Sequence, residues 1–174
     1  MYQGTESLVK KARLGNDEAF YELIKQRKEL LYRTAYAYVK NRDDALDIVS
    51  DTVYKAYRSL RKLKKPSLFN TWLTRILINC SLDHLHRRKR AIPVKELAHV
   101  PVQARESSEK LDLYRAIDKL DDRCRTVIIL KYFHDLTIRE VAEIMQCPQG
   151  TVKTYLHKAL NSLRIELKED WLND

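Results

Sequence analysis

TIREVAEIMQCPQGTVKTYLHKALNSL, Thr137 to Leu163, carries two helical patterns separated by a break. Thr137 is placed to cap a first helix, with Glu140 reaching back to it, and Ile138, Val141, Ala142 and Met145 recur at helical spacing. Gln146-Cys147-Pro148 interrupts the pattern; proline, with no amide proton and a fixed φ, suits the first turn of a new helix. On that second helix Val152, Leu156, Ala159, Leu160 and Leu163 form an apolar stripe. Gln149, Lys153, Thr154, His157 and Lys158 then face outward, a surface that fits a DNA major groove. The stretch reads as a helix-turn-helix. Ala142 is small where the helices cross, and Gly150 bares backbone amides where a phosphate is attracted. A helical hairpin with a solvated polar face would share this local pattern, so the rest of the chain must decide.

Only three glycines and four prolines occur in 174 residues that are rich in Leu, Lys, Arg, Glu and Ala, which predicts an all-α chain with few long loops. Cys80, Cys124 and Cys147 are isolated and lack CxxC spacing, which argues against a disulfide framework and a zinc site. His84, His86, His99, His134 and His157 do not cluster with cysteines or carboxylates at ligand spacing, and no phosphate-binding glycine loop occurs. We therefore expect no metal, no cofactor and no catalysis. No apolar run approaches the roughly 20 residues of a membrane span, and the polar start MYQGTES has no signal-peptide core, so a cytoplasmic protein is expected.

The formal charge of +9 suits a polyanionic partner, but it is unevenly placed. Residues 1–90 hold 20 Lys and Arg against 10 Asp and Glu, a balance of +10; residues 91–174 hold 13 against 14, a balance of −1. The helix-turn-helix lies in the near-neutral half. A free-standing repressor neutralises phosphates with its own DNA-binding domain, so this module should bind DNA weakly by itself and need a partner.

In chain order, Ser7–Leu14 reads as a short helix closed by Gly15, with Asn16 or Asp17 capping the next. A long second helix is expected from there to about Lys40, with Ala19, Phe20, Leu23, Ile24, Leu30, Leu31, Ala35 and Tyr38 on one side and Asn41 ending it. A third spans Asp43–Leu63, burying Ala45, Ile48, Val49, Thr52, Val53, Ala56, Leu60 and Leu63. Its back carries Asp43, Asp47, Asp51 and Tyr54, with Asp44 flanking. Acidic helix faces are commonly just solvated, but an exposed tyrosine among carboxylates suits docking onto an arginine-rich protein surface. Ser67 is placed to cap a fourth helix whose stripe is Phe69, Trp72, Leu73, Ile76, Leu77 and Cys80, with Ile78, Leu82 and Leu85 off it; Trp72 reads as core. Asn79 shares a flank with Arg75 and Asp83. The helix ends in Arg87-Arg88-Lys89-Arg90, which with Arg61, Lys62, Lys64 and Lys65 we read as one nucleic-acid-facing patch.

Periodicity fails between Ala91 and Ser108, where Pro93 and Pro101 fall, so residues 91–108 read as a linker between domains at 1–90 and 109–174. Leu111, Leu113, Tyr114, Ile117 and Leu120 begin the second domain. Asp121 or Asp122 caps a further helix carrying Val127, Ile128, Leu130 and Phe133, and the chain ends soon after Trp171.

The chain resembles the extracytoplasmic-function group of bacterial RNA polymerase sigma factors. The resemblance rests on DDALDIVSDTVYKAYRSL followed by TWLTRILINCSLDHLHRR, and on LTIREVAEIMQCPQGTVKTYLHKAL, in that order and spacing. It implies a four-helix region 2 domain and a helix-turn-helix region 4 domain. It further implies core RNA polymerase as a partner for Asp43, Asp47, Asp51 and Tyr54. A melted downstream promoter element would be held by Asn79 with Arg75, Arg87 and Arg88. A duplex upstream element would be read by Gly150, Thr151, Lys153, Thr154, His157 and Lys158. The resemblance also implies a membrane-bound anti-sigma factor, although no residue identifies one. Two weak modules on one enzyme gain effective concentration, which accounts for a near-neutral helix-turn-helix. The alternative is a stand-alone helix-turn-helix regulator, against which the charge split argues.

Overall fold

The computed structural model describes residues 2–91 and 108–172, with side chains over 4–88 and 113–166. The chain divides into two compact units, Met1–Ala91 and Ile92–Asp174. Every regular element among the described residues is helical. Most of the expected linker, residues 92–107, lies outside the described residues, as do the side chains of Lys89, Arg90, Leu111 and Trp171.

In the first unit, helix α1 (Tyr2–Arg13) ends at Gly15, whose φ of +94° a side chain would strain. The Asn16 amide donates to Lys11 O and the Gly15 amide to Ala12 O, closing the free carbonyls in a Schellman turn. Asn16 then caps α2 (Asp17–Lys25) by accepting the Ala19 amide at 2.8 Å. Helix α1 starts at Tyr2, before the expected Ser7; its first turn carries no apolar stripe that would mark that start in the sequence.

The expected long second helix is two helices. It breaks at Gln26–Arg27, where the Arg27 amide bonds Ile24 O in a tight turn, and α3 (Lys28–Val39) follows. Among its described residues the first unit therefore holds five α-helices rather than the expected four. The break lets α2 pack on α1 while α3 packs on α4 and α5. Periodicity hid it, because Leu23, Leu31, Ala35 and Tyr38 are buried on both sides of the turn. Nor does Asn41 end α3: Lys40 takes the left-handed conformation that closes it. Asn41 instead starts α4 (Arg42–Ser59), accepting the Asp43 and Asp44 amides at 2.9 Å.

Helix α4 buries Ala45, Ile48, Thr52 and Ala56, and the 3-10 turn Leu60–Lys62 that follows buries Leu60. Thr52 stays satisfied by donating to Ile48 O at 2.7 Å. Ser67 does not cap the next helix. It sits inside a 3-10 turn, Pro66–Leu68, led by Pro66, and α5 (Phe69–Ala91) begins after it. Helix α5 buries Phe69, Leu73, Leu77 and Cys80, and also Ile78, so it meets neighbours on more than one side as its sequence implied. Trp72 is half-buried, its ring centroid 5.8 Å from that of Phe69.

In the second unit, α6 (Ser108–Asp118) leads to Asp121, which caps α7 (Asp122–Ile128) by accepting the Arg123 and Cys124 amides. A π-helical turn, Ile129–Phe133, extends α7. Helix α8 (Ile138–Met145) opens with the expected capping box: Glu140 N–H donates to Thr137 Oγ1 at 3.3 Å, and Thr137 N–H to the Glu140 carboxylate at 2.8 Å. The Thr137 amide, and after it the Thr137 hydroxyl, donate to the Glu140 carboxylate and hold it below its usual range. Helix α9 (Gln149–Leu172) packs on α6, α7 and α8. Its core partners are Ala116, Ile117, Leu120, Cys124 and Ile128, which meet Ala159 and Leu163.

Arg125 is buried among these apolar residues, and the sequence pattern did not single it out. Its guanidinium donates to Ile117 O at 3.3 Å, Asp118 O at 2.6 Å and Leu120 O at 3.2 Å, and pairs with the Asp118 carboxylate at 3.3 Å. These carbonyls lie at the end of α6 and in the turn after it, where Ile117 O also accepts the Leu120 amide, and the planar fork reaches all three at once.

Candidate functional site

Three surfaces carry the expected functional residues. On α4, Asp43, Asp47, Asp51 and Tyr54 are all exposed and recur at i, i+4, i+8 and i+11, so they share one face. Arg58 extends it: its guanidinium donates to the Tyr54 hydroxyl at 2.9 Å and lies 5.7 Å from the ring centroid. Tyr54 is thus an exposed ring with a cation on one side and carboxylates on the other. Asp44 does not belong to this exposed face. It is half-buried, meets His84 Nε2 at 3.3 Å, and accepts from Arg88 at 3.1 Å, clamping α4 to α5.

On α5, Arg75, Asn79, Asp83 and Arg87 recur every four residues, and all four are exposed. The row runs beside the rim of α4: Asp83 pairs with Lys55 and Arg87 with Asp51, both at 3.9 Å. The acidic face of α4 and the basic end of α5 are therefore neighbours, which sequence separation concealed. Exposed pairs at this distance contribute at most about 1 kcal/mol, so they position charges more than they stabilise the unit.

The basic patch is not one surface. Arg61, Lys62, Lys64 and Lys65 lie in the turn before α5, whereas Arg87 and Arg88 lie near its far end. At about 1.5 Å per residue the two groups are roughly 30 Å apart along the helix. Among the described residues of the patch, Arg87 and Arg88 adjoin the acidic residues of α4.

The third surface is the helix-turn-helix. Helix α8 closes at Gln146, in the left-handed conformation, with the Cys147 amide bonded to Ala142 O. Pro148 stands one residue ahead of α9 and not within it. Its carbonyl accepts the Thr151 and Val152 amides, which fixes the first turn. Val152, Ala159 and Leu163 are buried as the stripe predicts, but Leu160 is 41% exposed, because it lies on the edge of a face already filled by Leu156 and Leu163. Gln149, Gly150, Lys153, Thr154, His157 and Lys158 are exposed and Thr151 is half-exposed, on the turns that follow Pro148. A side chain at Gly150 would meet open space, so packing does not demand a glycine there. Thr154 donates to Gly150 O at 3.0 Å, and His157 Nδ1 lies 3.3 Å from Asn161 Nδ2.

Lys158 has a partner that the sequence did not reveal. Its ammonium lies 2.8 Å from Asp121 Oδ2, while Asp121 Oδ1 caps α7. Lys158 and the Cys124 amide lower the Asp121 carboxyl to about 2, and Asp121 raises the lysine. Burial and the adjacent Asp121 push the Cys124 thiol up to about 11. Because the folded carboxyl lies below its unfolded value of about 3.8, its contribution to stability is complete above that pH and is lost as pH falls toward about 2. Acid unfolding of Asp121→Asn should lack this slope; equal slopes in both proteins would show that the ion pair carries no stability.

The family description "Sigma-70 region 2" matches residues 23–91 and "Sigma-70, region 4" matches residues 110–163, which places α4 and α5 in one and the helix-turn-helix in the other. The RNA polymerase sigma factor SigV of Bacillus subtilis (strain 168) is 38% identical over 84% of this chain and 90% of its own. The chain belongs to the extracytoplasmic-function sigma factors. The sigma factor binds core RNA polymerase and directs promoter recognition and transcription initiation. Its fold matches that of CnrH, solved with the cytosolic domain of CnrY, at a TM-score of 0.75 and 24% identity, covering 96% of this chain and 99% of that one. It also matches the sigma factor RpoE of Bartonella quintana, solved with the anti-sigma factor NepR, at a TM-score of 0.72 and 26% identity, covering 86% and 96%. No described helix of the sigma factor is long and apolar enough to cross a membrane.

Proposed function

We propose that initiation is divided among the three surfaces, within domains at 1–90 and 109–174. Asp43, Asp47, Asp51 and Tyr54 dock the factor onto core polymerase. Asn79 holds an unpaired base of the downstream element, and Arg75, Arg87 and Arg88 neutralise the phosphates beside it. Gly150, Thr151, Lys153, Thr154, His157 and Lys158 meet the upstream element as a duplex. The observation that carries this reading is the separation of an exposed acidic and aromatic face on α4 from an exposed polar face on α9, in different compact units. The polymerase supplies the chemistry and the factor itself catalyses nothing. Gly150 supports close approach of a phosphate, since nothing in the fold fills the space above it.

The factor acts in the cytoplasm and is held by an anti-sigma factor, as the Bartonella quintana relative was solved with one. Run-off transcription on genomic fragments with core polymerase tests the assignment. Specific transcripts should require this chain, and a transcript set unchanged by its omission would refute the assignment.

A further inference from the structure

The two lysines on the exposed face of α9 are not equivalent. Lys153 makes no ion pair among the described residues, whereas Lys158 reaches back to the start of α7. The residue that holds it, Asp121, uses its two oxygens for different tasks. Oδ1 accepts the Cys124 amide at 2.9 Å and the Arg123 amide at 3.1 Å, and Oδ2 faces the Lys158 ammonium at 2.8 Å. The cap therefore fixes the carboxylate in place, and a fixed carboxylate oxygen offers a lysine the same kind of anionic acceptor as a DNA phosphate. Both side chains remain about half exposed or more, at 66% for Lys158 and 48% for Asp121, so the pair can open without unfolding either helix.

We propose that Asp121 is an intramolecular competitor for the recognition helix: it occupies Lys158 in the free factor and lowers the affinity of the helix-turn-helix for duplex DNA. The inference rests on the reading of Lys158 as a DNA contact. To reach a base edge or a phosphate the lysine must leave Asp121, so its apparent affinity is reduced by the fraction of time it is paired. The Lys158 ammonium, and after it the cap amide, hold the Asp121 carboxyl low, so the carboxylate that faces the lysine is charged at neutral pH. Asp121 is thus a positioning residue that tunes a weak module, and it touches no promoter atom itself.

The test uses holoenzyme, made from the full chain and core polymerase, on a promoter duplex recovered by run-off transcription from genomic fragments. Asp121→Asn keeps an N-cap oxygen and removes the charge; Asp121→Ser does the same with a different side chain, and equal helicity shows that both are folded. Each should tighten binding by about two- to fivefold, the range set by releasing an exposed ion pair. The dependence on salt should steepen by up to about one released counterion. In a Lys158→Ala background the same substitutions should have no effect. An equal gain in that background would show that Asp121 acts only as a negative charge near DNA and would overturn the proposal, as would no gain in the wild-type background. If Lys158→Ala alone leaves binding unchanged, the DNA-contact reading of Lys158 fails and the proposal fails with it.

Discussion

Asp47→Lys combined with Asp51→Lys should leave a folded protein that no longer associates with core polymerase, weakening the complex by on the order of a hundredfold or more. Both carboxylates are exposed, so reversing them disturbs no packing. The pair of Asp51 with Arg87, at 3.9 Å and largely in solvent, contributes too little for its loss to unfold the unit. Circular dichroism should match the wild type while polymerase pull-down disappears. A folded double mutant that captures polymerase at wild-type levels would remove the docking role from this face.

Arg125→Ala should destabilise the second unit by about 3 kcal/mol, because it removes the guanidinium donors from the Asp118 and Leu120 carbonyls, leaves Ile117 O with the Leu120 amide alone, and leaves Asp118 without its guanidinium. Urea unfolding followed by helicity measures the loss, and hydrogen exchange should show α6 opening first. Arg125→Lys should recover less than half of it, since an ammonium cannot span carbonyls on Ile117, Asp118 and Leu120 together. An unchanged midpoint would show that water satisfies those groups.

These two cases mark what the sequence reveals. The α4 face was legible because helical spacing alone puts Asp43, Asp47, Asp51 and Tyr54 on one side, and the helix-turn-helix because Thr137, Glu140 and Pro148 each act through backbone chemistry within a turn. Arg125 was not legible, since a buried arginine looks like any solvated one until the carbonyls it serves are placed around it. The same holds for Asp121 with Lys158, 37 residues apart, and for Asp44 with His84 and Arg88. Where the pattern misled, a local event left the periodicity unchanged. The turn at Gln26–Arg27 kept the apolar residues in phase, so two helices read as one. The basic residues before and at the end of α5 read as one patch because a run of letters does not display the length of the helix that sets them apart.

The division of labour between the two units is the central claim, and transcription from closed and pre-opened templates tests it most directly. Lys158→Ala should reduce initiation roughly tenfold or more if the lysine reads a base, and a template whose downstream element is already mismatched open should not restore it. Asn79→Ala should slow initiation on the closed template, since holding an extruded base offsets an unstacking cost of about a few kcal/mol, and the open template should largely restore the rate. Identical defects for both variants on both templates would contradict the account.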